Sequence, residues 1–338
     1  MKDHHGHTWR VLYWILIGVG HNINRDRRMR NNQIQAGTAK IAAAAIAAAL
    51  AISTVVQGDS ATPVKELVLY GIDADTHELV RYAFKTDTYT VIGTVVDQDG
   101  YAIDHPEAMT YIPSGPYKGF YASGVGKDGT GGPKNVLARI DGLTAEAYMY
   151  STPQFTYKGI RGMTTVWDPV AGNWVMLGIA HNSGDAKLVR FDPTTGEQFL
   201  VMDLDDGWGN PSFEGLSRHL DPDKLYVMTG WKLGLLDLST GVITDVADHS
   251  AHARTESLEI AFGDDDAKIA VPGIPADWTK DGALFGFSDS SNDMLIYNPA
   301  GGFTVYTPCS FASLDCEGLV FMTESQDPFG KITVSPCD

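Results

Sequence analysis

Four glutamates in this sequence share one local pattern, in which a small residue and then Met or Leu follow the acid. They are Glu107, Glu214, Glu256 and Glu317, and Arg161 occupies the equivalent place in a fifth copy. If a repeated fold brought these side chains to one axis, four carboxylates could not all stay ionised without a cation. The pattern therefore predicts either a calcium or similar hard-cation site at the glutamates or partial neutralisation of their charge by Arg161.

Two other interpretations of the glutamates stay open. Each Glu could cap a loop or accept hydrogen bonds from neighbouring strand amides, a structural role that recurs because the unit recurs. Direct acid or base catalysis is the remaining alternative, but a catalytic group is usually needed once and not in every repeat. A hydrolase at this place would also require a bound cation and a further residue outside the repeat.

The elements that would position these residues are short strands. From Leu67 onward, apolar runs alternate with turn residues and no sustained helical period occurs, which predicts an all-β fold. A second unit, an apolar strand ending in Asp or Asn and followed by a four-residue turn, alternates with the glutamate pattern. Because Asp accepts hydrogen bonds from the next amides and Gly takes a positive φ, each unit is typical of a hairpin. The five strands end at Asp73, Asp141, Asp192, Asp237 and Asn298.

The alternation of the two units predicts a β-propeller, because four strands in roughly 50 residues is the size of one blade. The first hairpin lacks a glutamate strand before it and the last glutamate strand lacks a hairpin after it, so we expect the two to pair and close the ring. Six blades stay an alternative if residues 264–282 or the tail at 324–338 supply strands. The five expected blades are 315–323 with 67–96, then 105–151, 158–204, 212–248 and 255–307.

The two alternating motifs also carry a resemblance. Glu-Gly-Leu strand starts, as at Glu214 and Glu317, together with Leu-x-x-x-Asp-Pro-x-Thr-Gly hairpins, as at Leu188–Gly196, resemble secreted bacterial β-propellers of the NHL, YVTN and gluconolactonase-like kind. The resemblance covers residues 66–323 and implies the fold without assigning a function. In the gluconolactonase-like proteins an acidic channel holds a divalent metal, so the resemblance implies metal ligation by the four glutamates. The Asn and Asp ligands of those enzymes have no match here.

The N-terminal segment, residues 1–58, differs from the rest in charge and composition. A basic cluster at Arg25–Arg30 precedes the Ala-rich apolar run Ala39–Val56, which is typical of a secretory signal, with an uncleaved signal anchor as the alternative. Of 25 basic and 42 acidic residues, seven and two fall in this segment, which leaves 18 and 40 in residues 59–338. We therefore expect an extracytoplasmic, strongly acidic propeller domain at 59–338.

The acidic charge argues against nucleic-acid and membrane-surface partners, so membrane contact is expected only through an uncleaved leader. No nucleotide cofactor is expected, because the Gly-rich stretch Gly124–Gly132 lacks a phosphate-binding Lys and leads to a strand. One disulfide could form among Cys309, Cys316 and Cys337, with the pairing open.

Large aromatic residues are frequent in the presumed loops, among them Tyr117, Trp167, Trp174 and Trp231. We expect most of them to pack between blades, and stacking on sugars or peptides is the alternative. Two functions follow from the sequence. The first is a non-catalytic scaffold that binds a protein, glycan, small molecule or ion outside the cytoplasm. The second is a calcium-dependent hydrolase or lactonase that acts through the ring of glutamates.

Overall fold

The structure is a computed structural model. It describes residues 67–84, 86–127, 133–150, 157, 159–182, 185–204, 213–250, 254–261, 283–288, 293–298, 302–306, 316–323 and 327–328. In these residues all regular secondary structure is β-strand, as the strand and turn pattern predicted. The described ranges contain no helix that is long and apolar enough to cross a membrane.

Twenty-one strands follow one another in the described part of the chain. They are β1 (Leu67–Asp73), β2 (Glu78–Ala83), β3 (Thr88–Thr94), β4 (Val96–Asp97), β5 (Asp104–Ile112), β6 (Gly119–Lys127), β7 (Pro133–Ile140), β8 (Glu146–Met149), β9 (Ile160–Asp168), β10 (Asn173–Asn182), β11 (Asp185–Phe191), β12 (Gln198–Leu204), β13 (Phe213–Arg218), β14 (Lys224–Thr229), β15 (Lys232–Asp237), β16 (Ile243–Asp248), β17 (Thr255–Ala261), β18 (Ala283–Ser288), β19 (Met294–Tyr297), β20 (Phe303–Tyr306) and β21 (Cys316–Thr323).

The strands form five small sheets, in which all pairings are antiparallel except that of β4 with β8. Their orders are β21-β1-β2-β3 (blade 1), β5-β6-β7-β8 with β4 added at the outer edge (blade 2), β9 to β12 (blade 3), β13 to β16 (blade 4) and β17 to β20 (blade 5). The first strand of each sheet contacts the first strands of the two neighbouring sheets, so β21, β5, β9, β13 and β17 surround one axis. The domain is a five-bladed β-propeller. The predicted blade count is confirmed in the residues that the structure describes.

The ring closes through the sheet that contains both the earliest and the latest strand. Strand β21 pairs antiparallel with β1, in a register that runs from Leu67 opposite Thr323 to Asp73 opposite Cys316. The predicted closure is therefore confirmed, and it pairs the edge of β1 that would otherwise be open.

Apolar side chains fill each of the five gaps between successive blades. One buried cluster joins blades 1 and 5, and four others join blades 1 and 2, 2 and 3, 3 and 4, and 4 and 5. Between blades 5 and 1, the ring of Phe84 lies 5.8 Å from that of Phe285 and 5.9 Å from that of Phe321. Each blade is a sheet with two apolar faces, and these side contacts bury both of them.

The Asp residues of the hairpins are turn formers, as predicted. In blade 2 the Oδ1 atom of Asp141 accepts hydrogen bonds from the amides of Leu143 at 2.7 Å and Thr144 at 3.2 Å. The turns after Asp192 and Asp237 repeat this arrangement, and each is completed by a glycine with φ above 70°. The Asp side chains thus hold the loops between the third and fourth strands of the blades.

One expected boundary is wrong in detail. The first hairpin was expected to extend to residue 96, but Val96 pairs in parallel with Glu146 at the outer edge of blade 2. The chain leaves blade 1 here because Asp97 accepts hydrogen bonds from the amides of Asp99 and Tyr101 and turns the backbone. The Asp73 turn joins the second and third strands of its blade, whereas the other Asp turns join the third and fourth.

Candidate functional site

The glutamate pattern marks a β-bulge in the strands that surround the axis. In β13, Phe213 pairs with Thr229 and Gly215 with Met228, so Glu214 is the extra residue between them. Register shifts also occur at the pattern in the other four blades. The extra residue is Arg161 in blade 3 and Glu256 in blade 5, whereas it is Gly318 in blade 1 and residues 105–107 are unpaired in blade 2. A bulge bends a strand and re-aims the side chain of the extra residue. In blades 3, 4 and 5 the charged position of the pattern is thus built into the backbone of the inner strand.

The small residue after each glutamate has a packing role. A Cβ on Gly162 would lie 2.6 Å from the amide nitrogen of Leu216, and a Cβ on Gly215 would lie 2.6 Å from the Cβ of Leu258. Neighbouring inner strands therefore approach so closely that the position excludes larger side chains. The cavity left at the axis measures about 10 Å³, which is room for about one water molecule.

Charged groups of four blades meet at one end of this axis. The carboxylate of Glu214 accepts hydrogen bonds from Arg161 Nη1 at 2.9 Å and from Arg254 Nη2 at 2.5 Å. Its side chain is only 2% exposed. Arg161 Nη2 also lies 3.9 Å from Glu107 Oε1. Arg161 thus lies between two of the predicted glutamates, as in the interpretation that gave it a neutralising role.

Arg254 belongs to this cluster, but the sequence pattern did not reveal it. It lies two residues before Glu256, and the corresponding positions of the other blades carry no arginine, so the repeat gives no signal for it. Its guanidinium reaches Glu214 from blade 5, the next blade around the ring. A contact of this kind depends on how two blades pack and not on a local motif.

In this cluster, the pKa of Glu107 is shifted. Burial raises the pKa of this carboxyl above its ordinary value, and the nearby charge of Glu214 adds to the rise, while Arg161 and His105 oppose it. The charged form is disfavoured because the group has lost part of its hydration.

The predicted calcium site includes two positions that the structure describes only in part. Glu256 and Glu317 lie on the inner strands β17 and β21, but their side chains lie outside the described residues. Among the side chains that are described, no group of three or more His, Cys, Asp or Glu is arranged to hold a metal ion. Calcium binding by Glu107, Glu214, Glu256 and Glu317 therefore stays a prediction.

The predicted disulfide also stays a prediction. Cys316 is buried in the apolar cluster between blades 1 and 5. Cys309 and Cys337 lie outside the described residues, as do the leader 1–58 and the segment 264–282.

A larger concave feature lies between blades 2 and 3, and we call it the aromatic cleft. Its volume is about 520 Å³, within the size range of small-molecule sites. It is formed by the β5–β6 turn, the β9–β10 turn, and the end of β11 with the turn that follows. The lining residues are Ile112, Ser114 to Tyr117, Trp167, Gly172 to Val175, and Arg190 to Thr194.

The aromatic rings of this cleft are held at fixed angles. The rings of Trp167 and Trp174 meet edge to face with centroids 5.5 Å apart. Trp174 Nε1 donates a hydrogen bond to Ser114 Oγ at 3.0 Å, and the guanidinium of Arg218 lies 5.8 Å from the Trp174 ring centroid. These contacts fix one indole, while Trp167 and Tyr117 remain exposed. Trp174 packs against the core between blades 2 and 3 as expected, whereas Trp167 and Tyr117 do not pack between blades.

Polar groups border the rings. The guanidinium of Arg190 lies 5.2 Å from the Phe199 ring centroid, which supports it from the side of β12. A hydrogen bond from the Thr194 hydroxyl lowers the pKa of Asp192, and backbone amides of the turn add to the effect. Asn173 is exposed at the end of the β9–β10 turn. The cleft therefore combines flat apolar surfaces with an amide, a guanidinium and a carboxylate.

Comparison with known proteins adds no site. The sequence matches no protein-family model and no curated protein. One chain of a Nidogen/Laminin complex is similar at 10% identity, over 80% of this chain and 100% of that chain, with a TM-score of 0.44. A protein from Lactobacillus plantarum is similar at 10% identity, over 77% of this chain and 100% of its own, with a TM-score of 0.38. A candidate 6-phosphogluconolactonase from Bacteroides fragilis is similar at 11% identity, over 78% and 99%, with a TM-score of 0.39. Values this low carry no argument about what this chain binds.

Proposed function

We propose that this protein is a non-catalytic binding protein that holds a carbohydrate chain in the aromatic cleft. The observation that carries the proposal is the exposed ring of Trp167, held edge to face at 5.5 Å from the anchored ring of Trp174 inside a cleft of about 520 Å³. Tryptophan supplies a large rigid contact surface at little cost in side-chain entropy. The propeller would serve as the rigid scaffold for this surface.

A sugar ring has the chemistry that this cleft complements. Its C–H faces are apolar and stack on indole rings, while the hydroxyl groups at its rim donate and accept hydrogen bonds. Asn173, Arg190 and Thr194 border the rings and offer partners for such hydroxyls. Ligand sites generally combine an apolar lining with a few placed polar groups. These features favour a glycan among the ligands considered from the sequence.

The residues at the axis favour a binding scaffold over the alternative function, a hydrolase. A hydrolase or lactonase acting there would need space for a substrate beside the glutamates, and the described residues that line the axis enclose a cavity of about 10 Å³, room for a single water molecule. The carboxylate of Glu214 is already bound by two arginines. A calcium ion, if one binds, would have a structural role in this proposal.

The experiment is affinity electrophoresis of the full-length protein in native gels that contain xylan, galactomannan, pectin or mixed-linkage β-glucan. We expect at least one polysaccharide to retard the protein. Trp167→Ala should remove the retardation, because its exposed face is lost. Trp231→Ala is the matched control, since the two indoles are 47% and 46% exposed and Trp231 lies in the β14–β15 turn outside the cleft.

Two results would contradict the proposal. One is migration unaffected by all four polysaccharides. The other is retardation that Trp167→Ala leaves unchanged. A proline-rich peptide is titrated in parallel to test peptides as the competing ligand class. If the peptide binds at Trp167 and no polysaccharide does, the protein is a peptide-binding scaffold. Location outside the cytoplasm is part of the proposal, supported by the leader at 1–58, and cell fractionation tests it.

A further inference from the structure

A second cleft, which we call the blade 2 cleft, lies beside the aromatic cleft. Its volume is about 820 Å³, and the residues that line it include Tyr111, Lys118, Arg139, Glu146 and Tyr148. Tyr148 is the most exposed aromatic side chain among the described residues, at 61%. The cleft thus offers an aromatic surface with cationic and acidic groups around it.

The two clefts share one wall, the β5–β6 turn. Ser114 to Tyr117 face the aromatic cleft, and Lys118 to Phe120 face the blade 2 cleft. The turn is fixed at both sides, because Tyr121 donates from its hydroxyl to the Tyr117 carbonyl at 2.8 Å and Arg139 donates from Nη2 to the Lys118 carbonyl at 2.6 Å. This wall is a rigid ridge with one cleft on each side.

A second connection runs along the end of β8. The ring of Tyr148, in the blade 2 cleft, meets the ring of Tyr150 edge to face at 5.8 Å. The hydroxyl of Tyr150 donates a hydrogen bond of 2.7 Å to the carbonyl of Pro193, which lines the aromatic cleft. A continuous row of packed rings and hydrogen bonds therefore joins the two clefts across the gap between blades 2 and 3.

We infer that the two clefts are subsites of one elongated site, which takes an oligosaccharide long enough to cross the β5–β6 ridge. The inference rests on the proposed function and assigns to the blade 2 cleft a role in it. Trp167 and Trp174 stack the sugars at one end of the chain. Tyr148 stacks the sugars at the other end, with Arg139 and Glu146 beside it to bind hydroxyl groups.

Two linked subsites predict how affinity depends on ligand length. A sugar bound in one cleft raises the effective concentration of the next part of the same chain at the other cleft. Affinity should therefore increase with chain length until both clefts are filled and then stay constant. Two independent sites, or the aromatic cleft alone, would give no such increase beyond a short ligand.

The test is isothermal titration of the full-length protein with oligosaccharides from disaccharide to octasaccharide, cut from the polysaccharide that retards it. Tyr148→Ala should weaken binding of the longest oligosaccharides by about tenfold, the usual cost of removing an exposed aromatic anchor, and leave the shortest unaffected. Trp167→Ala should weaken both. Tyr89→Ala is the matched control on the outer strand β3, where the ring is 37% exposed.

The outcomes separate this inference from the proposed function. Binding that needs Trp167 but does not change with chain length, or that Tyr148→Ala leaves intact for the longest ligands, would overturn the elongated site alone. Absence of any carbohydrate binding would overturn the proposed function and this inference together. Near-ultraviolet circular dichroism of each variant verifies that the fold is retained.

Discussion

Arg81 donates a hydrogen bond from Nε to the Oδ2 atom of Asp327 at 2.9 Å, although 246 residues separate the two in the sequence. Both side chains are buried, and the hydroxyl of Tyr70 donates to Oδ1 of the same carboxylate at 2.5 Å. Burial and the bond to Asp327 raise the pKa of Tyr70. Asp327, in the tail at 324–338, thus binds to β1 and β2, the second and third strands of blade 1.

We expect Asp327→Asn to lower the free energy of unfolding by about 3 kcal/mol, because it removes the negative charge from a buried ion pair with Arg81. Urea denaturation of the full chain measures the effect. Asp203→Asn is the control, since Asp203 pairs with Lys187 and is 70% exposed, and exposed pairs contribute about 0–1 kcal/mol. Equal losses for the two variants would show that the tail contact adds nothing beyond a surface ion pair.

Replacing Glu214 by Gln should destabilise the ring of inner strands by about 1–2 kcal/mol, a value reduced from that of a fully buried pair because the two arginines are partly exposed. The measurement is again urea denaturation. Asp245→Asn, which removes the exposed partner of Lys232, serves as the reference. A Glu214→Gln protein as stable as the wild type would mean that the arginines find other partners.

Glu107→Gln should change stability in a manner that depends on pH. The pKa of Glu107 in the folded protein is raised above its ordinary value of 4.5. The stability that its protonated carboxyl contributes to the fold is therefore fully present below pH 4.5 and is lost as pH rises through the folded pKa. The variant carries no charge at this position, and its unfolding free energy should therefore increase relative to that of the wild type as pH rises above 4.5. Denaturation curves at several pH values give the difference, and a trend of opposite sign would show that the attraction to Arg161 outweighs the cost of burial.

Gly215→Ala should cost about 2–3 kcal/mol, since the added methyl group would overlap the Cβ of Leu258 across the gap between inner strands. Gly100→Ala is a suitable comparison. Gly100 has φ +80° and no atom within 4 Å of the added carbon, so only backbone strain of about 1 kcal/mol is expected. Thermal unfolding of both variants compares the stability lost through overpacking at Gly215 with that lost through backbone strain at Gly100. A smaller loss at Gly215 than at Gly100 would mean that the inner strands can separate.

The blades were predictable because each is specified by local chemistry. An Asp that accepts the next amides, followed by a residue at positive φ, closes a hairpin wherever it occurs, so Asp141 and Asp192 could be interpreted from sequence alone. The same local pattern does not say which two strands of a blade the turn joins, and the Asp73 hairpin lies one strand further in than the others.

The candidate site was less predictable because it is assembled between blades. The bulged glutamate positions recur in the sequence, but Arg254 reaches Glu214 only because blades 4 and 5 are adjacent. The exposure of Trp167 likewise depends on how the turns of blades 2 and 3 lie beside each other. The sequence shows that aromatic residues are frequent, but it does not show which of them are exposed. A contact between two blades has no signal in the sequence of either blade alone.

The pairing of β21 with β1 has a consequence for biosynthesis. Strand β21 follows the other twenty strands, so a growing chain presents β1 with one edge unpaired until almost the whole domain has been made. Partly made propellers have exposed strand edges of the kind that promote aggregation. A nascent chain that lacks β21 therefore has no closed ring and leaves one edge of β1 exposed.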